Sequence, residues 1–470
     1  KFEPAPLAAP AALLGANLAW STQVGTSGTS LTPLATAGRV FVASASGTVA
    51  ALDADTGKDV WRVDLRTGIS AGVGSDGQTA AVITQTNDLV AIADGRELWR
   101  VRLPARAFTA PLVAGQRVFV LTADRSVTAF DGRTGARLWS QARPGEPLVL
   151  GQSGVLLAVG NTLVAGLSAR LTGLDPLNGT IRWEALVASA RGTNEVERLV
   201  DLVGTVSRQG DSVCARAFGA AVGCVDTSRG AVVWSKPARG STGVHGDDRM
   251  VFGTESDGRV VAWQRASGER SWEIERLKYR ELTSPLAVGR VVAIGDSKGL
   301  VHLLSREDGS EMTRLTTDGS PIVAPPVLAG DTLVVQTQRG AIHALIGPNG
   351  AGKTTCFNLL TKFLEPTQGQ ILFNGQDITR EAPAQIARRG IIRSFQISAV
   401  FPHLSVLENV RVGLQRKLGT AYHFWKSERT LTRLNDQAHS LLAEVGLQDF
   451  AQETTVNLPY GRKRALEIAT

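Results

Sequence analysis

Two stretches of this 470-residue chain place reactive residue types at the spacing a chemistry requires. Residues 347–354 read GPNGAGKT, which fits G-x-x-x-x-G-K-[ST] between the apolar IHALI and the helical-looking TCFNLLTKFL. In such a loop Gly347, Gly350 and Gly352 let backbone amides, that of Asn349 among them, turn toward a phosphate, and the start of the following helix adds positive potential. Lys353 reaches the β- and γ-phosphates, and Thr354, with Thr355 beside it, offers a hydroxyl to Mg²⁺. The cofactor this loop implies is ATP with Mg²⁺. The second stretch, SVCARAFGAAVGCVD, sets Cys214 and Cys224 on either side of Gly219, so a hairpin centred there brings them face to face. In an oxidising compartment the pair reads as a disulfide, and otherwise as two small buried side chains. Cys356 follows the phosphate loop and reads as core. No set of metal ligands stands out.

The elements that must position these groups come from an internal repeat. GRVFVASASGTVAALDADTGKDVW, ending at Trp61, recurs as QRVFVLTADRSVTAFDGRTGARLW, ending at Trp139, and as DRMVFGTESDGRVVAWQRASGERSW, ending at Trp272. Gly-x-x-x-Trp occurs at Gly57/Trp61, Gly95/Trp99, Gly135/Trp139, Gly179/Trp183, Gly230/Trp234 and Gly268/Trp272. Gly309 has Thr313 in the Trp position, and Trp20 lacks the Gly. Successive positions lie 38 to 51 residues apart, one four-stranded blade each, which makes eight blades. Asp53, Asp131, Asp175 and Asp226 stand four residues before their glycines, where a short acceptor bonds the turn's own amides and glycine supplies positive φ. The final segment DTLVVQTQRGAIHAL has no Trp strand after it, so the Trp20 strand is expected to complete that blade and close the ring without a free edge. The expected fold is an all-β eight-bladed propeller at 16–345, after a tail at 1–15 and before a partial α/β phosphate-loop segment at 346–470.

Composition agrees with two units. Residues 346–470 hold 15 Lys+Arg against 10 Asp+Glu, leaving 35 against 33 for the rest, and neither part is basic enough for nucleic acid. The longest uncharged run, residues 147–169, is broken by Gln152, Ser153, Asn161 and several glycines, so paired strands explain it better than a membrane span. The start, KFEPAPLAAPAALLG, has no initiator Met, which suggests trimming and removal of a signal.

The repeats resemble the quinoprotein-type propeller repeat, and 16–345 is similar to the BamB family, lipoprotein subunits of the outer-membrane β-barrel assembly machine. The likeness rests on the blade count and on NEVERLVDLVG, LTSPLAVGRVVAIGDSKGLVHLLSREDG and DTLVVQTQRGAIHAL. It implies a non-enzymatic scaffold at the periplasmic face of the outer membrane, held there only by a lipid anchor on an upstream Cys. The implied partner is the periplasmic part of the barrel subunit BamA, with unfolded outer-membrane proteins as further clients and no propeller cofactor. The implied contact surface lies on PLVLGQ and RLVDLV, and carries over to Leu148, Leu150 and Asp201. Gly151 stands where that pattern has an arginine, and Val203 where it has a second aspartate. A quinoprotein dehydrogenase would need a Ca²⁺ site and usually an adjacent Cys-Cys pair, which this chain lacks.

Beyond the phosphate loop, RSFQ with Gln396 and LPYGRKRALEIAT resemble ABC-transporter ATPases, specifically the ATP-binding subunits of branched-chain amino-acid importers. There the glutamine contacts metal and water, and the signature, here Leu458, Pro459, Tyr460 and Gly461, binds the ATP of the opposite subunit. Propeller occupies the place of that family's first strands and adenine-stacking aromatic, and its second acidic motif, catalytic Glu and switch His are not reached by Thr470. The expectation is a segment without ATP hydrolysis. An ABC ATPase with the propeller as passenger is the rival reading. Because RGAIHAL satisfies both patterns without a linker, and the ABC segment alone would be cytoplasmic, a chimeric reading frame is expected.

Overall fold

The computed structural model describes residues 2–11, 13–144, 149–190, 198–346, 360–361, 365, 370–391, 400–417, 434–458 and 460–470. The chain divides into two compact units, Lys1–Ala351 and Gly352–Thr470.

The first unit is a ring of eight four-stranded antiparallel sheets. Seven blades are sequential meanders, at residues 34–64, 69–102, 112–141, 156–186, 202–237, 244–274 and 286–316. The eighth takes three strands from the end of the repeat region and its outer strand, Asn17–Gln23, from the beginning. Ala341–Ile346 is its third strand. It pairs on one side with Asn17–Gln23, Trp20 facing Ala344, and on the other with Thr332–Gln336, Val334 facing Ala344. The ring closes as the unpaired terminal segments require.

The Gly-x-x-x-Trp spacing has a mechanical reason. Each tryptophan stands on the outer strand of one blade and its indole lies on the turn of the next. A Cβ on Gly57 would come within 2.3 Å of the Trp20 ring, and one on Gly179 within 2.4 Å of the Trp139 ring. Both glycines have positive φ, +70° and +79°, so the position asks for glycine twice over. In several seams the indole N–H then donates to the turn's carbonyl, as Trp20 to Ala54 at 3.0 Å, Trp99 to Gly132 at 2.9 Å, Trp139 to Pro176 at 3.0 Å and Trp272 to Arg306 at 2.7 Å, whereas that of Trp61 is buried without such a partner. Aliphatic layers fill the seams between blades, as where Trp20, Val334 and Ile342 of the eighth blade meet Val40, Val42 and Leu52 of the first. The turn aspartates do what their spacing requires. Asp53 accepts from the amides of Asp55 and Thr56 at 3.0 and 2.9 Å, and Asp131 from those of Arg133 and Thr134, both at 2.9 Å.

Thr313 breaks the pattern because its seam is different. The eighth blade's third and fourth strands come from opposite ends of the ring's sequence, so no tight turn joins them and there is nothing for an indole to cover. Leu14 and Ala16 pack at this seam instead, and residues 2–8 run along the seventh blade and the connection leading into it. The Leu13 amide donates to Met312 O, Arg314 reaches Ala8 O, Arg280 reaches Ala5 O, and Phe2 stacks on Tyr279.

In the second unit the described strands are only the two-residue pair Leu372–Phe373 and Gln376–Asp377. Helices Val406–Lys417, Asn435–Glu444 and Tyr460–Ala469 pack around Val406, Val410, Ala438, Leu442, Leu447 and Leu466, each at most 1% exposed. Ser405 and Glu408 form a reciprocal cap on the first of these helices, the Ser405 amide donating to Glu408 Oε2 at 2.7 Å and the Glu408 amide to Ser405 Oγ at 3.2 Å. Asn409, 3% exposed, ties that cap to Phe401 and Thr455. Poor packing is what missing sheet neighbours would suggest for this segment. The helices instead share a dense core of their own, because its apolar positions lie within residues 400–470 and need no sheet to cover them. No helix among the described residues is long and apolar enough to cross a membrane.

Candidate functional site

The chemistry-bearing positions fall into three places. The first is a groove on the face of the ring that carries the connections between blades. Loop 142–155 joins the third blade to the fourth, and loop 187–201 joins the fourth to the fifth. Leu150 from one and Asp201 from the other line a single groove, so residues 51 positions apart are brought together. The loops are pinned by the Gly154 amide on Thr109 Oγ1 at 2.9 Å, the Gly204 amide on Ser153 O at 3.1 Å and Gln152 Nε2 on Ser241 O at 3.2 Å. Leu150 is half-buried rather than fully solvated. Asp201 is also half-buried, and Arg125, from the hairpin of the third blade, comes within 3.5 Å of its carboxylate. Arg125 was not legible from sequence, since TADRS is an ordinary polar turn. Val203 is buried, 2% exposed, on strand Leu202–Gln209. A Cβ on Gly151 would meet only the Phe108 ring, at 3.9 Å, so nothing in the structure explains a glycine there. Leu148 lies outside the described residues.

The second place is the join to the ABC-like segment. Gly347, Asn349, Gly350, Gly352, Lys353, Thr354, Thr355, Cys356, Gln396 and Pro459 lie outside the described residues. What is described is the strand that would lead into the phosphate loop. Ala341–Ile346 is hydrogen-bonded along both edges inside the eighth blade, with Ile342 and Ala344 wholly buried. A phosphate-loop strand normally lies in a parallel sheet of its own domain. This one is committed elsewhere. Leu458 is 4% exposed, its side chain belongs to the helical core and its amide donates to Thr455 O at 3.2 Å, while Tyr460 and Gly461 open the helix Tyr460–Ala469.

The third place is the interior between the fifth and sixth blades. Cys214 and Cys224 are direct cross-strand neighbours, their sulfurs bonded and both side chains at most 1% exposed. Arg265 sets Nη1 3.2 Å from Cys214 Sγ. Arg216, 0% exposed, meets Glu255 at 3.0 Å and donates to Thr254 O at 3.1 Å, and Glu255 also accepts from the Arg239 amide. Burial drives the Arg216 pKa down against the pull of Glu255. Sequence reasoning missed this pair, whose one trace is the set of glycines around it. A Cβ on Gly240 or Gly253 would fall 2.2 or 2.7 Å from the guanidinium.

His245 accepts from the Ala287 amide through Nδ1 at 3.0 Å, and burial, reinforced by the charges of Arg265 and Arg306, pushes its pKa down from 6.5 to about 4. The unfolded chain therefore binds a proton that the folded chain refuses between these two values. Stability should rise with pH across that window by at most about 3.4 kcal/mol, and be fully present above pH 6.5. His245→Gln, whose amide oxygen can take over as acceptor, should flatten urea-denaturation stability between pH 4 and 6.5 and leave the steeper carboxylate-driven loss below it. An unaltered slope would show that His245 is not the group responsible.

Two family models match the chain: outer membrane protein assembly factor BamB over residues 45–274, and ABC transporter over residues 331–470. The second begins inside the eighth blade and covers its strands Thr332–Gln336 and Ala341–Ile346. Outer membrane protein assembly factor BamB of Burkholderia pseudomallei is 38% identical over 344 residues, 72% of this chain and 90% of that protein. The protein of the same name from Bordetella pertussis is 34% identical over 73% of this chain and 90% of its own length. Among solved structures, BamB from Moraxella catarrhalis superposes with a TM-score of 0.65 at 25% identity, over 71% of this chain and 100% of that one. A quinohemoprotein alcohol dehydrogenase from Comamonas testosteroni gives 0.55 at 12% identity, over 96% of this chain and 90% of that one, a likeness of fold alone. The eight-bladed ring, its Trp-on-Gly seams and these relatives place the chain in the family of outer membrane protein assembly factor BamB, with an ABC transporter segment following its closing strand.

Proposed function

We propose that this propeller is a non-enzymatic scaffold of outer-membrane protein assembly, docking on the periplasmic domains of the barrel subunit BamA through the groove of Leu150 and Asp201. Leu148 would join that contact. The observation that carries the reading is the convergence of the two loops on one groove, where an apolar side chain stands beside a carboxylate held by Arg125. Rigid blades position both, which is how a scaffold presents a contact surface. The setting would be the periplasmic face of the outer membrane, reached through a lipid anchor, with unfolded outer-membrane proteins as further clients.

The rival reading, an ABC ATPase at work, is disfavoured by the strand Ala341–Ile346. A segment whose leading strand is held in another sheet lacks the frame that aims Lys353 and Thr354 at phosphates and Gln396 at metal and water. ATP with Mg²⁺ would at best be held weakly by Gly347 to Thr355, without turnover. A chimeric reading frame joined at 339–345 accounts for two compartments meeting in one chain.

The test is capture of purified BamA periplasmic domains by Leu150→Ala/Asp201→Ala. Loss of an apolar anchor and of a half-buried charged contact should weaken binding at least about tenfold. The circular dichroism should be unchanged. Undiminished capture would move the interface elsewhere.

A further inference from the structure

The groove does not end at Leu150 and Asp201. Arg125, Ser168 and Asp201 line it and also a second cleft of about 320 Å³. Leu186, Leu199 and Val200 carry that cleft into a third, of about 710 Å³, beside the hairpin of the fifth blade at Phe218. The walls mix apolar and polar groups. Val187 and Val200 are buried, Leu199 and Phe218 half-buried, and Leu186 and Pro237 exposed. The charges along the way are mostly positive. Among the described residues, Arg125, Arg170, Arg198 and Arg239 line the three clefts against Asp201, and Asp201 already faces Arg125.

Arg170, in the second cleft, and Arg239, at the rim of the third, make no ion pair among the described residues. The positive field at the Arg170 end is felt by its neighbour. Arg143, though paired with Glu184, has its pKa lowered by burial and further by the charge of Arg170. A long trough with apolar side chains in its walls, and with Arg170 and Arg239 making no ion pair among the described residues, is complementary to a chain that alternates apolar and acidic side chains, as an extended strand does on its two faces.

We infer that this trough over the third to fifth blades binds an extended acidic segment of the partner polypeptide, its apolar side chains against Val200 and Phe218 and its carboxylates on Arg170 and Arg239. The inference rests on the reading that the Leu150 and Asp201 loops face the partner, of which the trough is the continuation. The apolar side chains supply affinity, and the arginines select charge and speed encounter.

The test uses the full chain and a dye-labelled peptide of alternating Glu and Val, with the Lys and Val peptide as control, followed by fluorescence anisotropy. The acidic peptide should bind, and raising salt from about 50 to about 300 mM should weaken it, because the contact is screened. Arg170→Glu/Arg239→Glu should raise its Kd at least about tenfold, whereas Arg133→Glu, on a turn of the opposite face, should not. A thermal melt of each variant checks that the ring is intact. Equal binding by all three proteins, or equal binding of the Lys peptide, would overturn the inference. Capture of the BamA periplasmic domains by the same proteins separates the two ideas. Intact capture without peptide binding sinks the trough and spares the partner reading, and loss of capture only in Leu150→Ala/Asp201→Ala does the same.

Discussion

Removing residues 1–24 should open the ring and abolish its cooperative melting transition. The deletion takes away strand Asn17–Gln23, the only cover on the outer edge of Ala341–Ile346, and exposes that edge to water and to other chains. It also removes Trp20, whose indole lies on Gly57 and donates to Ala54 O at 3.0 Å, and Thr22, whose hydroxyl donates to Gly57 O at 3.1 Å, two links between the eighth blade and the first blade's turn. Trp20→Ala alone should cost about 3–5 kcal/mol, as truncation of a large core aromatic does. The deletion adds a lost ladder and the exposure of Val334, Ile342 and Val40, so its total should reach the whole net stability of a domain, on the order of 5–15 kcal/mol. Differential scanning calorimetry of residues 1–345 with and without the deletion checks this. An unchanged melting temperature would show that the ring does not depend on its first strand.

Glu255→Ala should be the most damaging single change away from that seam. Arg216 and Glu255 are 0% and 4% exposed at their side chains, so removing the carboxylate strands a guanidinium in a site that burial already makes hostile to charge. Breaking a buried pair in this way costs about 3–5 kcal/mol. The site cannot relax by sliding the arginine away, because Gly240 and Gly253 press the backbone against it on two sides. Arg216→Met/Glu255→Leu, which keeps volume and removes both charges, should recover at least half of the loss. A urea-denaturation cycle of the two single variants and the double variant measures the coupling. A loss below about 1 kcal/mol for Glu255→Ala would mean that water reaches the pair.

The ring was legible in the sequence because its seams repeat. A tryptophan that must lie on a glycine of the next blade fixes both residues at constant spacing, and even the exception at Thr313 follows from the seam that has no turn. Closure was legible too, since one lone strand and one incomplete blade leave a single solution. What was hidden depends on contacts between blades that no local pattern announces. Arg125 reaches Asp201 from 76 positions away, and Arg216 meets Glu255 from the neighbouring blade. The trough is hidden for the same reason, being assembled from loops of three blades whose individual sequences are unremarkable. The core of the helical unit was hidden too, because it rests on a reciprocal cap at Ser405 and Glu408 and on apolar positions within 400–470 rather than on the sheet a phosphate-loop pattern calls for.

The strand Ala341–Ile346 fits both families, and its allegiance decides between scaffold and ATPase. Amide hydrogen exchange across residues 341–346 in the full chain, with and without Mg-ATP, tests this most directly. Bonded on both edges and buried at Ile342 and Ala344, these amides should exchange as slowly as those of Thr332–Gln336 and be unchanged by nucleotide. Fast exchange confined to 341–346, or protection that appears only with Mg-ATP and is lost in Lys353→Ala, would give the strand to the nucleotide-binding segment and contradict the account.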